Sequence, residues 1–431
     1  MFEERELSFR GEFAVEGRRL VLDFSLRQNV TSQIEILGRC EQDPKSLQLE
    51  IGATGAIEGS LPDGRSLYVE KAAVAEILER SAGAIAISFV VESVHVHTAA
   101  GPYSRAVFPK GTDCVFRWIL TGTAWLDDWL RHSGPESSFK LAESHELQIE
   151  GQEVAHPIQA SRLGHAARSL YTVPVLTYKV DASEKTLDEI KSSTPQGLVD
   201  NLLTALSCLS RSRIEWTHRT LSVVHPDDEQ QAESVFRLAA PNVLRSFTYP
   251  GIYPPSVPPK VIEFACTRLG EFGESLRSAI QFYVASFGLA EEQSFVALTT
   301  SLEALKQSHI DGQPVQGILS DDEFGGLRSR VEESVTQYLT ESGSSSVLDS
   351  ICEKLNELNR PAYATVVRDM CAKLNVNLQE IYPNELTFIS VRNNMIHQGA
   401  VPALDRLRTE TALIRKLVEA VLHRMLTPAR N

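Results

Sequence analysis

Hydrophobic and polar residues alternate along much of the first 173 residues. Three runs of this kind, at residues 20–26, 47–51 and 87–96, are separated by turn-forming Gly, Asp and Pro. Alternation puts apolar side chains on one face of a strand, so these runs predict β-strands. We therefore expect residues 1–173 to form a β-rich N-terminal domain, a sandwich or a barrel-like structure, with one short helix at residues 69–80.

A mixed pattern follows over residues 174–258. Residues 197–209 carry apolar side chains at helical spacing, whereas short runs near 220–224 and 235–239 are typical of strands. Five prolines between residues 249 and 259 then interrupt both patterns, because proline lacks the N–H that helices and sheets use. This proline-rich segment predicts the boundary of a mixed α/β middle segment.

From residue 259 to residue 431 the spacing is helical. Apolar side chains recur every three or four residues in successive stripes, such as the one that runs from Phe295 to Leu305. Ser320 with Glu323 matches a capping box, which predicts a helix start. Amphipathic helices in series predict an all-α bundle, so the fold class that we expect is multidomain α+β.

Composition narrows the class of protein. The chain has 431 residues, of which 42% are hydrophobic and 23% charged, as in globular proteins of two or three domains. Its six cysteines include no Cys-x-x-Cys pair, which argues against structural zinc and for a reducing compartment. The acidic N-terminus does not match a signal peptide, and no apolar run approaches the roughly 20 residues that span a bilayer. We expect a cytoplasmic protein with no membrane contact, metal or cofactor.

The net charge of the chain is negative, but the residues from 385 onward are basic on balance. The formal charge of −14 counts against broad, non-specific nucleic-acid binding, which depends on many lysines and arginines. From Glu385 to the C-terminus, however, seven basic residues oppose four acidic ones, a local excess of three positive charges. These charges either line a basic groove for a restricted or structured RNA or are simply the solvated faces of helices.

Two clusters in the β-rich part each allow two interpretations. His95 and His97 would share one face of a strand, as metal ligands sometimes do, but no third ligand accompanies them at a suitable spacing, so a surface pair is favoured. Trp118, Trp125 and Trp129 lie near two aspartates. They either line a ligand cleft or form a small core, and we favour the core.

Residues 391–399, Val-Arg-Asn-Asn-Met-Ile-His-Gln-Gly, carry the chemistry that stands out most in the chain. Arg392 brings a fixed fork of donors that matches phosphate oxygens, and His397 carries the side chain that gains and loses a proton near neutral pH. Asn393 adds an amide, and Gly399 is a helix-stopping residue. This combination suits chemistry on a phosphodiester and predicts a ribonuclease site.

The surrounding pattern predicts that this motif lies on a helix ending just after His397, where the negative end of the helix dipole favours a protonated imidazole. At about 100° per residue, Asn393 and His397 share a face, while Arg392 lies about 140° around from His397. Arg213 and His218 have the same spacing. Their segment is β-like, so those two side chains would tend to point to opposite faces.

The run from Arg392 to Gly399, placed in the penultimate helix of an all-helical region, resembles the Arg/His motif of the HEPN superfamily. Residues 295–305 are similar to a helix with a Leu-Glu-Ala-Leu pattern in its ApeA-like branch, and Glu303 is the glutamate of that pattern. The resemblance covers residues 259–431. The N-terminal part is only loosely similar to the β-rich domain of ApeA-type anti-phage proteins.

The resemblance implies a metal-independent ribonuclease, active as a homodimer that brings two Arg/His motifs together. Such enzymes often act as growth-arresting toxins in defence against phage, of the abortive-infection type. The partners that we expect are therefore an RNA substrate, such as tRNA or another structured RNA, a second copy of the chain, and a phage-derived trigger.

The residues that we expect to carry catalysis are Arg392, His397, Asn393 and Glu303, through attack of the RNA's own 2′-hydroxyl. Glu303 either orients Arg392 or His397 from a facing helix or is an exposed residue beside Lys306, and the resemblance favours the first role. The alternative function is a non-catalytic dimeric binding or sensor module, in which Arg392 and His397 only tie helices together.

Overall fold

The computed structural model describes residues 6–28, 34–40, 49–79, 85–97, 107–121, 124–133, 136–142, 145–157, 168–225, 228–237, 251–311, 318–342, 347–355, 359 and 361–428. The chain divides into two compact units, Met1–Cys266 and Thr267–Asn431. The first is rich in strands and the second is helical, which confirms a multidomain α+β fold.

The first unit is built on one long antiparallel sheet. Its strands, in chain order, are β1 Glu6–Val15, β2 Arg18–Gln28, β3 Ile34–Cys40, β4 Thr54–Ser60, β5 Ser66–Glu79, β6 Ile85–Val91, β7 Ser93–His97, β8 Asp113–Leu120, β9 Glu136–Ala142, β10 His145–Pro157, β11 Arg168–Asp181, β12 Trp216–His225 and β13 Asp228–Arg237. Its helices are α1 Ala124–Ser133, α2 Leu187–Ser192 and α3 Gln196–Ser210.

Six of these strands close into a barrel. Neighbouring strands follow the order β4-β1-β2-β3-β6-β5, and β4 also pairs with β5, which completes the ring. Alternate side chains point inward and fill the interior, as small barrels require. The inward residues Phe13, Ile36, Ile57, Val69 and Ile87 have no solvent exposure. The barrel-like form expected for the N-terminal part is confirmed.

The sheet continues beyond the barrel through β7, β13, β12, β8, β11, β10 and β9. Strand β5 joins the two parts, because Ser66 and Tyr68 pair with His97 and His95 of β7. Strands from the predicted N-terminal domain, residues 1–173, therefore share one sheet with β12 and β13 of the predicted middle segment, residues 174–258.

The helix predicted at residues 69–80 is wrong, because its described residues lie in strand β5. Alanine and glutamate there have high helix propensity, but β5 has partner strands on both sides. The burial of Leu67 and Val69 follows the period of a strand. Of the strand predicted at 47–51, residues 47 and 48 lie outside the described part, and 49–51 form no strand.

Other elements predicted for this unit are confirmed. The runs at 20–26 and 87–96 form β2 and the successive strands β6 and β7, the helix at 197–209 is α3, and the two middle strands are β12 and β13. Residues 238 and 239 of the second middle strand lie outside the described residues. Trp118 and Trp129 have no exposure, so the tryptophans form a core. The indole N–H groups of Trp125 and Trp129 donate to the carbonyls of Tyr253 and Val257, which fixes the proline-rich segment against α1.

The second unit is made of helices. Including α4, which begins in the first unit, the helices are α4 Pro259–Ala285, α5 Glu291–Asp311, α6 Asp321–Glu341, α7 Leu348–Leu355, α8 Tyr363–Lys373, α9 Leu378–Ile381, α10 Thr387–Gln398 and α11 Leu404–Leu426. The predicted capping box is present at α6, where the Ser320 and Glu323 side chains bond to each other's backbone N–H. Apolar faces of α5, α8, α10 and α11 form the core that positions the site.

None of the described helices combines the length and apolar character needed to cross a bilayer. All six cysteines are free thiols, and Cys40, Cys114, Cys208, Cys266 and Cys371 are buried. Within the described ranges, no group of three or more His, Cys, Asp or Glu side chains is arranged to hold a metal ion.

Candidate functional site

Helix α10 carries the Arg/His motif and ends where the sequence predicted. Gly399 adopts a left-handed conformation with φ 63°, which glycine tolerates without strain. The N–H groups of Gly399 and Ala400 both bond to the carbonyl of Asn394. Phe388 and Val391 are buried and anchor the inner face of the helix, so the position of the motif is fixed by packing.

Arg392 lies at the edge of that inner face, one turn after Phe388. Its side chain is half-buried. It makes no hydrogen bond or ion pair with any residue that the structure describes. A half-buried guanidinium with no carboxylate partner has its donors available for an anion.

Asn393 and His397 lie on the outer side of α10 and are exposed. They are one turn apart, whereas Arg392 is about 140° around the helix from His397. The imidazole of His397 makes no hydrogen bond with a described residue. The structure therefore puts Asn393 and His397 together and directs Arg392 to a different side.

Glu303 lies on α5 and is half-buried. Its carboxylate forms an ion pair with Lys306, one turn further along the same helix, and its side chain is 41% exposed. The hydroxyls of Thr299 and Thr300 donate to the carbonyl of Val296 and not to Glu303. Two roles were considered for Glu303, an exposed residue beside Lys306 and a residue that orients Arg392 or His397. Its ion pair with Lys306 fits the first role, and its partial burial fits the second.

Tyr363, the first residue of α8, contacts side chains of both α5 and α10, namely Lys306 and Phe388. Burial raises the pKa of its hydroxyl well above the ordinary value; the charge of Glu303 raises it further, and the charge of Arg392 lowers it. The ammonium group of Lys306 lies 4.8 Å from the ring centroid. We call Glu303, Lys306, Tyr363 and Arg392 the Tyr363 cluster. It joins two predicted site residues through a residue that the sequence did not point to.

The Tyr363 hydroxyl oxygen is buried and has no hydrogen-bond partner among the described residues. The Tyr363 ring packs edge-on against Phe388 of the motif helix, with 6.2 Å between centroids. Tyr382 also packs against Phe388, with 5.5 Å between centroids, and its hydroxyl is likewise buried without a described partner. Aromatic packing therefore holds α8 against α10 beside Arg392.

Exposed apolar side chains surround the end of α10. Ile396 is 52% exposed, Val401 56% and Leu404 48%. These three residues flank His397 and the Gly399 turn within nine positions of the sequence. We call them the apolar rim. Together they supply exposed apolar surface next to the Arg/His motif.

The basic excess of the C-terminal residues is partly exposed. Arg406, Arg408, Lys416 and Arg424 are exposed on α11. Arg415 is instead tied inside the helical unit: it donates to the Ser294 hydroxyl at 2.9 Å and lies over the Phe287 ring. Arg430 is outside the described residues.

The pair at Arg213 and His218 does not form a site. Arg213 bonds to Glu215 at 2.7 Å, and His218 is buried with its ring stacked on Phe236, 4.4 Å between centroids. His218 lies in β12, whereas Arg213 precedes that strand, so the β-like pattern held for only one of the two residues.

His95 and His97 lie on one face of β7, with ring centroids 6.2 Å apart. The neighbouring group is Glu233, a buried carboxylate that pairs with Lys191 and Arg219 and lies 3.7 Å from His97. Burial lowers the pKa of His95, which favours the neutral form of its ring. No metal-binding group occurs among the described residues here, and the cluster is a closed ion-pair network.

A cavity of about 310 Å³ lies at α8, α9 and the segment that leads into α10. Cys371, Val376, Tyr382 and Leu386 line it, with Arg368 and three amide side chains also contributing. Arg392, Asn393, His397 and Glu303 are not among its lining residues. The predicted site is therefore a surface arrangement and not this cavity.

Comparison of the chain with family models, curated proteins and solved structures finds no match. The resemblance noted for the Arg392 and Glu303 segments thus rests on their residues alone.

Proposed function

We propose that this protein is a metal-independent endoribonuclease that cleaves RNA at a site shared by the motif helices of two chains. The observation that carries the proposal is the pair of side chains that α10 presents. This well-anchored helix offers the Arg392 guanidinium and the exposed His397 imidazole, and neither group bonds to a residue that the structure describes. These are the two side-chain types that phosphodiester transesterification needs.

The reaction begins when a neutral imidazole takes the proton of the RNA 2′-hydroxyl and the oxygen attacks the adjacent phosphorus. An imidazolium then protonates the leaving 5′-oxygen as the P–O bond breaks. The products are a 2′,3′-cyclic phosphate and a 5′-hydroxyl end. Arg392 stabilises the charge that builds on the non-bridging oxygens, and Asn393 holds the imidazole or a phosphate oxygen.

Two imidazoles are needed in one turnover, one as base and one as acid, and each motif supplies one. A second copy of His397 is the economical source of the other. The angle of about 140° between Arg392 and His397 suits them to opposite walls of a groove between two chains. The apolar rim of Ile396, Val401 and Leu404 supplies exposed area that such a contact would bury.

The charge distribution favours a restricted RNA over general RNA coating. The chain as a whole carries −14, whereas Arg406, Arg408, Lys416 and Arg424 are exposed on the helix that follows the motif. A structured RNA such as tRNA, which could place one strand in a narrow groove, fits this pattern. The biological role that we propose is a growth-arresting toxin of anti-phage defence, released by a phage-derived trigger.

In the competing hypothesis, a non-catalytic binding or sensor module, Arg392 and His397 would tie helices together. Neither the exposed imidazole nor the guanidinium bonds to another helix within the described ranges, which does not support such ties. For this reason we favour the enzyme.

The direct test is incubation of the purified protein with total RNA in EDTA. We expect cleavage by the wild type that leaves 2′,3′-cyclic phosphate ends, loss of cleavage in His397→Ala, and retained cleavage in Gln398→Ala, an exposed neighbour on the same helix. Sequencing of RNA ends after induced expression gives the target in cells. Absence of cleavage in both settings, or equal cleavage by His397→Ala, would contradict the proposal.

A further inference from the structure

Two side chains where α8 meets α10 have hydrogen-bond donors without an acceptor among the described residues. One is the Arg392 guanidinium, and the other is the Tyr363 hydroxyl, whose oxygen is buried. Phe388, one turn before Arg392 on α10, packs against the Tyr363 ring with 6.2 Å between centroids, which places Tyr363 beside the Arg392 end of this contact. A buried phenol that donates to nothing is costly, and it is rarely left so without a ligand or a functional reason.

The charged side chains of the Tyr363 cluster sum to a net charge of one positive unit. Glu303 and Lys306 neutralise each other in an ion pair along α5. Arg392 then remains without a counter-charge among the described residues. A cationic fork beside an unused O–H donor is suited to an anion with several oxygens, and a phosphate provides them.

We propose that Tyr363 is a further catalytic residue of the proposed ribonuclease: its hydroxyl donates a hydrogen bond to the non-bridging phosphate oxygens that Arg392 binds. The inference rests on the proposed function for its substrate, RNA, but the anion subsite itself would exist without it. Arg392 supplies the charge, and Tyr363 adds a neutral donor whose direction is fixed by packing.

Lys306 and Phe388 are positioning residues for this donor. Phe388 packs against one edge of the Tyr363 ring, and the Lys306 ammonium lies 4.8 Å from the ring centroid. The carboxylate of Glu303 holds Lys306 in place by their ion pair. In this arrangement Glu303 acts on the site through Lys306 and Tyr363, and not by a direct bond to Arg392.

The hydroxyl is covered in this structure, although the Tyr363 residue as a whole is only half-buried. Contact with a phosphate oxygen therefore requires a side-chain movement that uncovers this hydroxyl.

The decisive variant is Tyr363→Phe, which keeps the ring and removes only the hydroxyl. Tyr382→Phe is its matched control, because that hydroxyl is also buried without a described partner and its ring also packs against Phe388. Since neither hydroxyl has a partner to lose, both variants should melt within about 2 °C of the wild type.

Two measurements on the full-length protein keep this inference separate from the nuclease proposal. Binding of inorganic phosphate, followed by calorimetry, should weaken at least about tenfold in Tyr363→Phe and in Arg392→Ala, and stay unchanged in Tyr382→Phe. Cleavage of RNA should show kcat lowered about 100-fold in Tyr363→Phe, with little change in KM.

The outcomes can be told apart. Tyr363-dependent phosphate binding by a protein that cleaves no RNA would support the anion subsite and overturn the nuclease. RNA cleavage and phosphate binding that are both unchanged in Tyr363→Phe would overturn the subsite and leave the nuclease intact. Equal losses in Tyr363→Phe and Tyr382→Phe would also overturn the subsite, since they would reflect a general effect of buried hydroxyls.

Discussion

The ammonium group of Lys306 lies 4.8 Å from the centre of the Tyr363 ring, although the two residues belong to different helices, α5 and α8. The same ammonium forms the ion pair with Glu303. One cation therefore joins a carboxylate on α5 to an aromatic ring at the start of α8, and this ring is next to the motif helix.

Lys306→Met should lower the free energy of unfolding by about 1 kcal/mol, because the cation–π contact is lost while most of the aliphatic stem is kept. Urea denaturation measures the change. Lys373→Met is the control: its ion pair with Asp369 is half exposed, so removal of that charge should cost less than about 0.5 kcal/mol. Equal effects of the two substitutions would argue against a special role for Lys306.

His397→Ala should leave stability unchanged within about 0.5 kcal/mol while it abolishes RNA cleavage, because the imidazole is exposed and without a described partner. Phe388→Ala, nine residues earlier on the buried face of the same helix, should cost about 3–5 kcal/mol. Thermal or urea unfolding distinguishes the two. A large loss of stability in His397→Ala would favour the non-catalytic module.

A heterodimer of one wild-type and one His397→Ala chain tests whether both imidazoles serve one site. Since each acid–base group contributes about 10²- to 10⁴-fold, a shared site predicts that the heterodimer retains about 1% of wild-type activity or less. Two independent sites predict about half. Chains with different affinity tags allow the heterodimer to be purified and assayed.

Val401→Asp should weaken self-association, since it puts a charge into the apolar rim. Sedimentation velocity should show a shift toward monomer, and activity should become dependent on protein concentration. Ile318→Asp is the matched control, because Ile318 is also an exposed apolar residue outside a helix, at 63% exposure. If both variants associate like the wild type, the rim is not the contact.

Glu233→Gln should destabilise the first unit by about 3–5 kcal/mol at neutral pH, because it leaves Lys191 and Arg219 without their buried counter-charge. Burial acts to raise the pKa of Glu233, but the hydrogen bond and charge of Lys191, with the charge of Arg219, outweigh it and lower the pKa.

The lowered pKa of Glu233 determines how the free energy of unfolding depends on pH. A lowered folded-state pKa means that Glu233 contributes stability above the unfolded value of about 4.3, and that this contribution is lost as the pH falls below it. Wild type should therefore lose more stability than Glu233→Gln between pH 5 and pH 3 in urea titrations. Parallel curves would show that Glu233 does not contribute.

Local sequence patterns predicted most helices and strands. The main exception is residues 69–80, where pairing with neighbouring strands determines the structure. Residues 197–209 and the Ser320–Glu323 capping box could be identified because their signals lie within one helix. Residues 69–80 could not, since their alanines favour helix while the pairing of β5 on both sides favours strand. Pairing of distant strands leaves no local trace in the sequence.

The candidate site could also be predicted only where the signal is local. The bounds of α10 and the separate directions of Arg392 and His397 follow from spacing and from Gly399. The place of Tyr363 depends on how α8 packs beside α5 and α10, and the Tyr363 segment carries no motif. The partner of Glu303, Lys306, was visible one turn away, but its contact with an aromatic ring 57 positions later was not.

Strand β5 has one further consequence. Its first half pairs with β4 and β7 and its second half with β6. Strand β5 therefore belongs both to the barrel, through β4 and β6, and to the extension, through β7. A truncation near residue 173 would leave the pairings of the barrel in place, because they all lie within residues 6–91. It would remove β12 and the paired part of β11 from β8, and β13 from β7, so the extension would lose most of its ladder while β5 kept its barrel partners.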